Sequence, residues 1–141
     1  MTNTLRWAAR CVAALAIFQV VIAVLVFVNW DETVSAFVGH SFAPTRDAAE
    51  GAVLGTLVVH LLLAVLCVFL ARAFLRGRRS ARIRGTILLV ATAVGGITAM
   101  GLPSQTYLSP IGVALAVVAL SLLWLPASRR AFGELSGAEP R

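Results

Sequence analysis

Residues 51–75 read GAVLGTLVVHLLLAVLCVFLARAFL. Up to Ala71 this stretch holds one imidazole (His60), one hydroxyl (Thr56) and one thiol (Cys67) among aliphatic side chains, glycines and one phenylalanine (Phe69), and Arg72 is its first full charge. About 20 apolar helical residues cross the roughly 30 Å hydrocarbon core of a bilayer. Hydrocarbon offers no water to backbone N–H and C=O groups, so a run of this length satisfies them there as a helix. The stretch is read as a transmembrane span over 51–72.

Working outward, three more apolar runs appear. Cys11 to Val28 contains a single polar residue, Gln19, and gives a span over 10–28. Gly85 to Leu102 gives a third, over 85–102. Pro110 to Leu125 gives a fourth, over 110–126, which is short unless Arg129 and Arg130 reach back to the headgroups. The whole chain agrees with this reading. It has 141 residues, is 60% hydrophobic and only 13% charged, and has a mean hydropathy of +0.92; an ordinary soluble domain is about 25% charged. A soluble domain of this size could not bury so much apolar surface. The fold class read from the sequence is all-α: a single-domain integral membrane four-helix bundle over 1–141, antiparallel and up-down.

Orientation comes from the arginines, which account for all twelve basic residues. Arg6 and Arg10 precede the first span. Arg72, Arg76, Arg78, Arg79, Arg82 and Arg84 crowd the second break, and Arg129, Arg130 and Arg141 follow the fourth span. The first break has Arg46 against Asp31, Glu32, Asp47 and Glu50, and the third, 103–109, has no charge. The positive-inside rule then places both termini and an Arg-rich loop over 76–84 in the cytoplasm, with an outer loop over 29–50. Arginine to the exclusion of lysine, with abundant Ala, Val, Leu and Gly, suggests a GC-rich bacterial genome. The expected location is therefore the bacterial cytoplasmic (inner) membrane. The first span is too long for the apolar core of a signal peptide, so cleavage there is not expected.

Local signals refine the boundaries. Pro44-Thr45 is expected to start the second long helix, and Ser109-Pro110 the last. Asn29 to Glu32 has capping-box-like spacing and predicts a short helix over 31–38 that presents Trp30, Val34, Phe37 and Val38 on one side. The tail over 133–141 is expected to be disordered.

Candidate chemistry concentrates at mid-depth. Gln19, His60 and Thr92 each fall near the middle of a span, and neighbouring spans would bring them together. Each needs a partner in hydrocarbon. The structural reading is a hydrogen bond between helices; the functional reading is a ligand or proton site. Depth matching predicts a contact between His60 and Gln19. Small residues supply a second candidate set: Gly51 and Gly55 in GxxxG spacing, with Gly95-Gly96, allow close helix approach, within the bundle or between copies. Thr56, His60, Ala64, Cys67 and Ala71 share one helix face. Arg76, Arg78, Arg79, Arg82, Arg84, Arg129 and Arg130 are candidate lipid headgroup contacts. Cys11 and Cys67 are not in a CxxC pair and are read as reduced packing residues.

The same inventory narrows the function. No Asp or Glu lies within a span, as carboxylate-dependent drug export requires. His60 has no second intramembrane histidine for heme ligation. No metal-ligand cluster, catalytic triad or phosphate loop is evident. The expectation is a non-enzymatic binding or accessory subunit without a cofactor, whose partners are the lipid bilayer and a membrane protein or a second copy, and not nucleic acid. The alternative is a small oligomeric transporter or channel with its polar site at Gln19, His60 and Thr92.

Overall fold

A computed structural model describes residues 3–76, 79–99 and 109–125. Five helices account for nearly all of them: α1 (Asn3–Val28), α2 (Trp30–Phe37), α3 (Arg46–Leu75), α4 (Arg79–Ala99) and α5 (Ser109–Trp124). No strand occurs among the described residues, and an isolated bridge joins His40 and Ala43. Among the described residues, three stretches are helices long and apolar enough to cross a membrane: Arg6–Val28, Arg46–Leu75 and Ser80–Ile97. The fourth expected span is shorter. With 16 residues, α5 is about 24 Å long at about 1.5 Å per residue, below the bilayer's hydrocarbon thickness. Pro126, Arg129, Arg130 and the tail over 133–141 lie outside the described residues.

α1 lies at the centre of the arrangement, packed against both α3 and α5, with α4 packed on α5. Its buried side chains explain why. Ala8, Val12, Leu15, Gln19, Ile22 and Val26 recur at alternating spacings of four and three and are all buried. That is the seam by which two helices lie side by side. On α3 the buried residues are Ala49, Val53, Ala64, Cys67, Leu70, Ala71 and Phe74. The expected small-residue face of this helix is thus the one turned inward, and Cys67 is a buried free thiol within it. Small side chains let the helix backbones come close, which matters where lipid removes the hydrophobic drive between helices.

The packing divides into two clusters. The first joins α1, α3, α4 and α5 around Ala8, Val12, Leu15, Cys67, Phe74, Leu89, Ala119 and Leu123. The second joins α1, α2, α3 and their loop around Ile22, Val26, Val34, Phe37, Ala43, Ala49 and Val53. Phe18 touches both. Outward faces remain apolar: Ile17 is 66% exposed, Phe27 70%, Phe69 62% and Ile87 65%. Apolar surface on this scale marks contact with lipid or protein rather than water.

Several boundaries differ from expectation. The expected Arg-rich loop over 76–84 is mostly helix, because α4 already begins at Arg79; arginine and alanine are good helix formers and favour extending the helix backward. α2 begins at Trp30, and Asn29 does not cap it with its side chain. Asn29 follows α1 without a gap, and its Nδ2 donates to the Leu25 carbonyl at 2.9 Å, satisfying one of the carbonyls left open at the helix end. α2 buries Thr33, Val34 and Phe37, whereas Val38 is exposed. The start of α3 follows expectation: the Thr45 hydroxyl accepts from the Ala48 N–H at 3.3 Å. Arg46 then ties α2 to α3 through Asp31 at 2.7 Å and Glu50 at 3.1 Å.

Candidate functional site

The seam between α1 and α3 carries its polar residues at one level. Gln19 occupies a core position of α1 and is 4% exposed, and half-buried His60 faces it from α3. The Nδ1–H of His60 donates to Oε1 of Gln19 at 2.5 Å. The contact expected from depth matching is present. Along α1 the pair's level falls between the two apolar clusters, after Ala16 and before Ile22.

Thr92, on α4, is 7% exposed and makes a different hydrogen bond. Its hydroxyl donates to the Leu88 carbonyl of its own helix at 2.8 Å. Thr56 does likewise toward Ala52 at 2.9 Å. Neither threonine joins the histidine–glutamine pair directly. All four residues line one cavity of about 430 Å³, with Phe18 and Ile22 of α1, Val59 and Leu63 of α3, Ala91, Gly95 and Gly96 of α4, and Gly112 and Val113 of α5. The cavity is partly open, and no charged side chain lines it.

Its shape follows from how α3 and α4 meet. Near the α3–α4 connection, a Cβ built on Gly85 would lie 2.7 Å from Cζ of Phe74 and 3.2 Å from Cδ1 of Leu70, so glycine there is what lets α4 approach α3. Toward the other end, a Cβ on Gly95 would meet nothing within 4 Å. Gly95 and Gly96 face the cavity. Gly51 and Gly55 are exposed, and a Cβ on either would also meet nothing within 4 Å. Among the described residues, then, the glycines singled out by spacing make no tight helix contact at 51, 55 and 95. Gly85 and Gly112 do so instead, the latter with a Cβ position 2.8 Å from Cε1 of Phe18. The sequence signal for them is a glycine facing an aromatic on another helix, which needs the helix rotations to be known.

The arginines have divergent surroundings. Arg76 and Arg84 are exposed, and Arg84 with Ser80 lines a second cavity of about 470 Å³ on the α3–α4 surface. Arg82 is half-buried and stacks its guanidinium 4.4 Å from the Trp124 ring centre, joining α4 to α5. Trp124 Nε1–H donates to the Thr86 hydroxyl at 3.2 Å, completing that joint. Arg82 thus packs against α5, and its Nε and Nη2 are buried with no hydrogen-bond partner among the described residues. Arg78, Arg129 and Arg130 lie outside the described residues. In the loop before α3, His40 stacks on Phe42. Among the described residues no three His, Cys, Asp or Glu side chains gather as a metal site would require.

Comparison with known proteins adds nothing to this geometry: no family model, no curated protein and no solved structure matches the chain.

Proposed function

We propose that this chain is a small multi-pass membrane protein that binds a membrane-resident molecule in the cavity at Gln19, His60 and Thr92, as a non-enzymatic binding or accessory subunit. The observation that carries the reading is a partly open cavity of drug-sized volume, lined by apolar walls around one hydrogen-bonded polar pair. Binding sites combine these features: apolar surface for affinity and a few placed polar groups for orientation. In this reading four spans lie in the bacterial inner membrane with both termini and the Arg-rich segment inside, as the arginine distribution favours.

The test has two parts. In a cysteine-free background, cysteines at Ser41 and Ser80 report topology: Ser41 labels from outside and Ser80 only after the membrane is opened. Labelling of Ser80 in intact cells contradicts the topology. Native mass spectrometry of the protein released from membranes then reports binding. Wild type retains a small amphiphile, whereas Gly95→Trp, which fills the cavity, does not. Retention by neither, or equally by both, removes the binding reading.

A second reading is a small oligomeric transporter. It is supported by the exposed Gly51 and Gly55, which are open to close approach by a second copy. Solute flux in proteoliposomes that is lost in Gly55→Leu together with the oligomer would favour it.

A further inference from the structure

We propose that the cavity recognises a neutral lipophile through a hydroxyl group, an alcohol or phenol on an apolar body, held between His60 and Gln19. The inference rests on the reading of the cavity as a ligand site and names what it selects.

The argument is a count of donors and acceptors. A neutral imidazole and a primary amide joined by one hydrogen bond each keep one polar atom free. With His60 Nδ1–H donating to Gln19 Oε1, the atoms left over are the Gln19 N–H donor and the His60 Nε2 acceptor. Turning the amide round exchanges these roles: Gln19 N–H donates to Nδ1, leaving the Oε1 acceptor and the Nε2–H donor. In both arrangements the pair still offers at least one donor and at least one acceptor. Both residues line the cavity. A hydroxyl is the smallest group that answers both, accepting from one residue while donating to the other. An ether or ketone answers only the donor.

Charge excludes the other classes. No carboxylate occurs between residues 51 and 133, and none lines the cavity, so an ammonium would be desolvated without a counter-charge. No arginine lines it either; Arg84 belongs to the separate surface cavity, so an anion has nothing to pair with here. Thr56 and Thr92 donate to their own helices and can add only acceptors. The apolar body packs on the Phe18, Ile22, Val59 and Leu63 walls. α3 and α4 come into close contact away from the cavity, around Phe74 and Gly85.

The experiment uses the full chain in lipid nanodiscs and three probes of equal chain length: dodecanol, dodecyl methyl ether and dodecylammonium. Dodecanol is expected to bind saturably, the ether about tenfold more weakly for the one unmatched polar group, and the ammonium not to compete. Gly95→Trp should abolish binding of both neutral probes. His60→Gln, which restores a group that donates and accepts, should keep the preference for alcohol. Equal binding of alcohol and ether to wild type overturns hydroxyl recognition while leaving the cavity as a ligand site. Absence of saturable binding for either, or binding unaffected by Gly95→Trp, overturns the cavity reading and the inference together. The wild-type comparison decides without any variant.

Discussion

The two halves of this molecule use similar residues to opposite ends. Around Phe74 four helices close on one another: glycine at 85 admits α4, alanines line α1 and α5, and Arg82 stacks on Trp124. Around Val53 the described core comes from α1, α2, α3 and the loop residue Ala43, and Gly95 and Gly96 of α4 face a cavity. Small residues alone therefore do not determine closure. At Gly85 and Gly112 a neighbouring ring takes the place a side chain would fill, whereas the Cβ position of Gly95 has no atom within 4 Å. The hydrogen-bonded pair of His60 and Gln19 lies at the boundary.

This contrast can be broken from the closed side first. Phe74→Ala removes a fully buried ring from the closed half and should cost about 3–5 kcal/mol in a denaturing-detergent unfolding titration, the largest effect of any single change considered. An unchanged midpoint would mean that the closed half is not the stability centre. Gly85→Val drives a side chain into the same ring and should cost about 1–3 kcal/mol by overpacking.

At the boundary, His60→Leu strands the buried Gln19 amide, at roughly 1–3 kcal/mol. The Gln19→Leu and His60→Leu double variant should cost less than the two singles added, since both partners leave together. Strict additivity would show that the two side chains do not interact. At the open end, Gly95→Ala should be neutral or stabilising by up to about 1 kcal/mol, since helix propensity improves and the new methyl meets nothing. A destabilisation as large as that of Gly85→Val would abolish the distinction between the halves.

The parts of this architecture legible in the sequence are those set by distance along the chain. Helices long enough to span, the Thr45 cap, and the shared level of Gln19 and His60 follow from counting residues at a fixed rise. What escaped depends on rotation about helix axes and on context. Spacing singled out Gly51 and Gly55, yet the tight contacts fall at Gly85 and Gly112, because an aromatic on a neighbouring helix happens to point there. Asn29 resembled a cap, but the near-continuity of α1 and α2 gave its amide a carbonyl to bind instead. Thr92 reaches the cavity but spends its proton on its own helix, as intrahelical threonines readily do.

The account turns on the bond between His60 and Gln19, and nitrogen-15 spectroscopy of histidine in nanodiscs observes it directly. His40 and His60 are the only histidines, so His40→Gln assigns the spectrum. The account predicts that Gln19→Leu shifts the His60 Nδ1 resonance strongly and leaves His40 where it was. An unchanged His60 spectrum in a folded Gln19→Leu protein would put the two side chains apart and contradict the account.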